Sequence, residues 1–502
     1  MPFFFTGRGA IALLPAVLLG VHCSSGGPNS SGSPIENVDA GASVADAPGV
    51  DTPPKLPPAE SSFIDVPAQS TSFRSASRIF YSFQPTLSVD NKPQPLLVFF
   101  NGGPAAATST CLMSYGTGPF TLDTPGAGED LPHANPRTFA RFANLLYIDA
   151  RNAGFSYNFR TTQNDIGDCR EFMVEDAIDF LRVLFRFLIN QPGLRHSRVV
   201  LVAESYGGAR ALTMAHLLLH YDDPSVPIPD DLRSEIRGHF DTFWPEAAGG
   251  THTMAAIGRE FARLVLIQPF VGAMQYPAQR PLLESDPYLN AFGPGRSNYD
   301  VRERAGWEVR MDQRAMMALS DEASSRALLG FDLALVRAIF PDERVNVVRP
   351  WATFDANAET LFRSRFGSLG RSDGYLASRG NFCTDDGISS PVLDSNEAIQ
   401  WIPEVLRFSR LFLTNARYDR AIHTPGLFVL LDEIGLSTEV DREPRPGVDR
   451  PGWFRVKLPA NANLEQTVEV RFPTYEDAGH MVTVRQGPDL ADDVANWLSE
   501  AD

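Results

Sequence analysis

Ser205 stands in the stretch LVAESYGGARAL (Leu201 to Leu212), between Glu204 and Tyr206. An apolar run leads into it, and two glycines and a helix-forming run lead away. A strand, a sharp turn and a helix lift a serine hydroxyl clear of the backbone and set it at the positive end of the next helix. Such a turn needs small flanking residues, and Ala203 and Gly207 supply them. The N–H of Tyr206 is then placed to hold an oxyanion. A serine hydroxyl is too weakly acidic to attack unaided, so it needs a base and an acid that orients the base. On a strand–turn–helix framework these follow in the order Asp or Glu, then His. Asp419 in LFLTNARYDRAIHTPG and His480 in YEDAGHMVTVRQGP each fall just past a strand-like run. FFNGGPA (Phe99 to Ala105) follows another such run, and its glycines admit a second oxyanion donor, Gly103.

Elements able to position these residues recur along the chain. Short continuous apolar runs of strand length occupy 95–100, 143–149, 197–203, 262–269, 410–416 and 467–473, as in strands buried on both faces. Between them, VEDAIDFLRVLFRFLI (Val174 to Ile189) repeats its apolar residues at helical spacing. ALTMAHLLLHY follows the serine, and DLADDVANWLSEAD closes the chain. Alternating strands and helices predict an α/β fold with a mostly parallel central sheet flanked by helices. From about 276 to 405 the rhythm breaks, and QRAMMALSDEASSRALLGFDLALVRAIF points to an inserted, mainly helical cap. The expected organisation is an export segment (1–23), a Ser/Gly/Pro-rich linker (24–60), the first core part (61–275), the cap (276–405) and the second core part (406–502).

The chain has 502 residues and a formal charge of −17, which argues against nucleic acid as a partner. At the N-terminus, AIALLPAVLL is too short to span a bilayer and reads as the apolar region of a secretory signal. GVHCSSGGPNSSGSP after it resembles a bacterial lipoprotein signal, which would place a lipid on Cys23, although His22 stands where such signals have a small residue. The expected location is therefore exported, either membrane-anchored through Cys23 or secreted. Three further cysteines, Cys111, Cys169 and Cys383, allow at most one disulfide among themselves. No CxxC, His/Cys cluster or HExxH spacing suggests a metal, and no cofactor is expected.

Taken together, NGGP (Asn101 to Pro104), GPF (Gly118 to Phe120) and ANLLYIDARNAGFSY (Ala143 to Tyr157) resemble the serine carboxypeptidase family. ESYGG (Glu204 to Gly208), VLIQPFVGAMQY (Val265 to Tyr276), NARYD (Asn415 to Asp419) and AGHMV (Ala478 to Val482) continue the resemblance in family order. It implies an α/β-hydrolase fold, a Ser205–Asp419–His480 triad and an oxyanion hole from the N–H groups of Gly103 and Tyr206. It also implies that Asn101 and a protonated Glu204 hold the free C-terminal carboxylate of a peptide substrate. With its lipoprotein-like start, the chain looks like a divergent, bacterial-type member.

Three departures stand out. Gly116 occupies the position of the family's second glutamate, in GTGP (Gly116 to Pro119). Ala105 to Ala107 replace a Gly-x-Ser run, and Gln268-Pro269-Phe270 replaces a Gly-Asn-type turn. With one carboxylate contact missing, carboxypeptidase activity is expected to have its optimum nearer neutral pH than in relatives. An esterase or acyltransferase on the same triad is the alternative, and a tethered, non-catalytic binding protein a third. Tyr157, Phe120 and Met481 are candidate pocket walls.

Overall fold

The computed structural model describes residues 59–285, 326–328 and 397–500, apart from breaks at 69–75, 91, 103–106, 123–131, 152, 154, 159–172, 248–252, 273, 420–421, 442–451 and 462–463. The export segment, nearly all of the linker, Cys23, Gly103, Cys169, Cys383 and most of the cap lie outside these residues. Cys111 is disulfide-bonded, with its partner also outside them.

Fifteen strands are described. They are β1 (Glu60–Val66), β2 (Ser77–Gln84), β3 (Leu96–Phe100), β4 (Phe120–Thr121), β5 (His133–Ala134), β6 (Asn144–Ile148), β7 (Tyr157–Asn158) and β8 (Val199–Glu204). Then follow β9 (Arg263–Ile267), β10 (Leu411–Leu413), β11 (Asn415–Ala416), β12 (Ser437–Asp441), β13 (Trp453–Asn461), β14 (Leu464–Arg471) and β15 (Thr474–Tyr475). The helices are α1 (Met173–Asn190), α2 (Gly207–Leu219), α3 (Asp230–Phe243), α4 (Thr253–Phe261) and α5 (Gln275–Ser285). After the break come α6 (Glu397–Gln400), α7 (Ile402–Phe408), α8 (Pro425–Glu433) and α9 (Val482–Ser499).

The main sheet runs β1-β2-β6-β3-β8-β9-β10-β14-β13-β12, with β7 beside β2. Its centre, from β6 to β14, is parallel throughout. The six apolar runs form these central strands. The flanking strands β1, β2, β12 and β13 are antiparallel additions. Polar residues interrupt them, alternating with apolar ones in β13, so they stand out less in the sequence.

Strand alternation divides the core. In β3, Leu96, Val98 and Phe100 join one apolar cluster with α1 and α2, while Leu97 and Phe99 join the other with α9. In β8, Val199, Leu201 and Ala203 face the first cluster and Val200 and Val202 the second. Each such side chain taken from water contributes about 1.5–3 kcal/mol, so this patterning fixes the register. That register brings the carboxyl ends of β3, β8 and β9 to one rim, with Phe100 opposite Ala203 and Glu204 opposite Ile267.

The margins of the expected cap belong to the core. α5 packs against α8, and α6 and α7 pack against α2. Buried Ala278, Ala398, Ile399 and Ile402 are the reason. Within 286–396 only Arg326 to Leu328 are described, and they are helical. The last helix begins at Val482, earlier than its apolar spacing suggests, because a non-helical Gln486 joins two helical pieces before Pro488.

Candidate active site

Ser205 sits between β8 and α2 with φ 59°, a left-handed backbone that a serine adopts only when its surroundings impose it. The corner is fastened to β9 and the turn beyond it. Ser205 N–H donates to the Ile267 carbonyl at 3.0 Å, and the Ser205 carbonyl accepts from Gly208 N–H at 2.8 Å and Phe270 N–H at 2.9 Å. The glycines are steric requirements. A Cβ on Gly208 would lie 2.5 Å from Pro269 Cβ. One on Gly102 would lie 2.3 Å from Tyr206 N and 2.9 Å from Ser205 Cβ. Gly102 of NGGP therefore rests against the elbow beside the Tyr206 N–H, at the start of α2. Gly103 lies outside the described residues.

Asp419 and His480 come together through two very short strands. β11 and β15 form a separate parallel pair, with Asn415 opposite Thr474 and Ala416 opposite Tyr475. Arg417 N–H donates to the Tyr475 carbonyl at 3.1 Å, and Tyr418 N–H to the Ala478 carbonyl at 3.0 Å. The two loops that follow are thus held side by side, and His480 Nδ1 meets Asp419 Oδ2 at 2.7 Å. Both residues are buried. With Nδ1 committed to the carboxylate, general-base work falls to Nε2.

Sequence reasoning missed how Asp419 is held. Gln268 Nε2 donates to Asp419 Oδ2 at 2.8 Å, and Ile422 N–H donates to Oδ1 at 2.9 Å. The Gln268 amide is oriented in turn, since Oε1 accepts from Thr414 Oγ1 at 3.0 Å and Thr424 Oγ1 at 3.3 Å. Gln268 is fully buried and has φ 46°. The residue that departs from a Gly-Asn-type turn is thus a positioning residue for the acid. Its only signal in the sequence was that departure.

Asn101 and Glu204 also meet, Asn101 Nδ2 donating to Glu204 Oε1 at 2.6 Å. Asn101 is fixed on its other sides, with its Oδ1 accepting from Leu112 N–H at 3.2 Å and its own N–H donating to Thr108 Oγ1 at 3.0 Å. Arg210 on α2 ties this region together. Its guanidinium donates to the Asn101 carbonyl, pairs with Asp176 of α1 at 2.5 Å and lies over the Phe180 ring at 4.3 Å. Both charges are fully buried, so removing either partner would cost about 3–5 kcal/mol. Arg210 had no signature in the sequence beyond its place in the helix after the serine.

Gly116 is built in rather than merely substituted. It has φ 76°, and a Cβ there would lie 2.3 Å from the Thr483 carbonyl oxygen at the start of α9. Beneath this turn Tyr147 Oη and Thr117 Oγ1 share a hydrogen bond at 2.9 Å. Burial raises the Tyr147 hydroxyl above its ordinary value despite that bond, so it stays protonated. Of the candidate pocket walls, Met481 is buried among Ala478, Val482 and their neighbours and is core. Phe120 is half-buried, and the Tyr157 side chain lies outside what is described.

Residues 48–228 match the family model described as serine carboxypeptidase. Serine carboxypeptidase-like 25 of Arabidopsis thaliana is 30% identical over 169 residues, which is 32% of this chain and 34% of that protein. Serine carboxypeptidase-like 26 of the same plant is 29% identical over 202 residues, 37% of this chain and 42% of that protein. The chain thus aligns with well under half the length of these curated relatives. The crystal structure of Kex1(delta)p, a prohormone-processing carboxypeptidase from Saccharomyces cerevisiae, superposes over 89% of this chain and 93% of its own, with TM-score 0.50 and 14% identity. The chain therefore has an α/β-hydrolase fold, and over residues 48–228 its sequence is similar to that of the serine carboxypeptidases.

Proposed function

We propose that this protein is a serine carboxypeptidase that removes C-terminal residues from peptides through an acyl-enzyme. The Asn101–Glu204 hydrogen bond beside the elbow is the observation that carries the reading, because it equips a serine nucleophile for a substrate ending in a carboxylate. Two carboxylates repel, so Glu204 must hold a proton to donate to that end group. Ser205 Oγ attacks the last peptide carbonyl while His480 Nε2 takes its proton. Asp419 orients the imidazole and stabilises its charged form. The Tyr206 N–H, with that of Gly103, receives the developing oxyanion. Collapse breaks the C–N bond, and His480 returns the proton to the departing amine. Water, deprotonated by His480, then attacks the ester, releases the shortened peptide and restores Ser205.

The test is the described protein beside Ser205→Ala, offered an N-blocked dipeptide with a free C-terminus and the same dipeptide amidated or esterified, over pH 4 to 8. Serine-dependent release of the terminal amino acid, favouring the free carboxylate, is expected. Gly116 offers no second glutamate to share the Glu204 proton, so the protonated, binding-competent form needs lower pH, and the optimum should be acidic, reversing the neutral expectation drawn from the sequence. An optimum at neutral pH would overturn that part.

Gly116 also favours a second reading, an esterase or acyltransferase, since a leaving group without a carboxylate does not need the missing contact. Turnover of the blocked or ester substrate alone would decide for it. For location, the reading is export with a lipid on Cys23. Metabolic labelling with a fatty-acid probe, lost in Cys23→Ser, tests this, and a secreted, unlabelled product would refute the anchor.

A further inference from the structure

His216 lies in the last turn of α2 and His220 is the residue that caps its end, in HLLLH. Four-residue spacing puts both imidazoles on one face of a helix. Glu404 reaches them from α7, across separations of 188 and 184 residues in the chain. His216 Nδ1 lies 2.8 Å from Glu404 Oε2, and His220 Nε2 contacts Oε1 of the same carboxylate. One candidate ligand atom from each of the three side chains lies within 4.8 Å of the other two.

We propose that His216, His220 and Glu404 form a divalent transition-metal site, with zinc the fitting ion, that fastens α2 to α7. Two imidazoles and one carboxylate suit zinc and its neighbours rather than magnesium or calcium, which take oxygen ligands. In a tetrahedral zinc site the ligand atoms stand about 3.3 Å apart, so a small opening of the present contacts makes room. The site is preorganised. The His216 ring lies flat on Trp401, 4.6 Å between centroids and 5° between planes, and Trp401 is the N-cap residue of α7. The His220 N–H donates to the His216 carbonyl at 3.2 Å, which fixes the end of the helix. Side-chain exposures of 20%, 20% and 27% leave one side open for a water as fourth ligand.

The role is structural. His216 lies about 16 Å along the helix axis from Ser205, too far to touch the reacting atoms. α2 starts at the nucleophile, and α7 leads into β10 and the Asp419 loop. The metal would therefore clamp the two chain segments that supply the nucleophile and the acid. The sequence reading assigned no metal because the third ligand is remote in the chain, although the His pair was legible.

The test uses the full chain, stripped with a chelator and titrated with zinc alone by calorimetry, with Co2+ as a spectroscopic probe of coordination. His220→Gln and Glu404→Gln are compared after circular dichroism has shown both folded. The expected result is one zinc per chain, at least tenfold weaker binding in each variant, and a zinc-dependent rise in Tm only in the parent. Four-coordinate Co2+ absorption should be lost in both variants. Absence of saturable zinc binding in the parent, or unchanged binding in the two folded variants, would overturn the proposal. Neither outcome depends on peptidase activity.

Discussion

At the residue scale, Asp419, the acid of the proposed triad, is held by an amide that the sequence did not nominate. Asp419 Oδ2 accepts from both His480 and Gln268. A hydrogen bond to a charged group contributes about 1.5–3 kcal/mol, so Gln268→Ala should lower kcat about ten- to a hundredfold. KM should change little, because Gln268 does not face substrate, and Ser205 labelling by a fluorophosphonate should slow in parallel. A rise in KM with kcat intact would refute the positioning role. Gly116 is constrained by backbone rather than by chemistry. Gly116→Ala should destabilise by at least about 2 kcal/mol in urea unfolding, from the positive φ and the collision with the Thr483 carbonyl. Gly116→Glu should likewise destabilise and fail to improve turnover of free-carboxylate peptides. A stable, more active Gly116→Glu protein would show that the turn yields.

Among the elements, α1, α3 and α4 enclose a buried histidine. His239 on α3 is ringed by Phe185, Phe240, Phe243 and Phe261, with centroids 5.2 to 6.1 Å away. Burial, helped by nearby Arg195 and His196, lowers its pKa from 6.5 to about 4. The folded state thus keeps His239 neutral while the unfolded chain binds a proton below 6.5. Stability is full above pH 6.5 and is lost as pH falls toward 4, by roughly 3 kcal/mol at most. His239→Phe should flatten that loss when unfolding is followed from pH 7 to pH 4. An unchanged acid limb would assign the loss to other groups. The small β11–β15 pair illustrates the same dependence on elements. Two residues per strand are too few for a pattern, yet they align the loops that carry Asp419 and His480.

For the whole molecule, the pH optimum of the proposed catalysis, the expected acid sensitivity of the helical layer around His239 and the proposed metal clamp on α2 have separate readouts. The sequence by itself determined the parallel centre of the sheet, because strands buried on both faces must be apolar throughout. It also nominated Ser205, Asp419 and His480, because an elbow needs small residues around its serine and each partner follows a strand, and of these the fold sets His480 against Asp419. Asn101 and Glu204 came from the resemblance of NGGP and ESYGG to a family. Tertiary structure alone decided what holds these groups. Gln268, Arg210 and Glu404 are ordinary polar residues in the sequence, and only folding sets them against Asp419, Asn101 and the His216–His220 pair. The margins of the cap also changed side, since α5, α6 and α7 bury their apolar residues on the core. The physical reason is shared. Periodicity records which residues are buried, whereas a buried polar group is defined by its partner, and here most partners lie a hundred or more residues away.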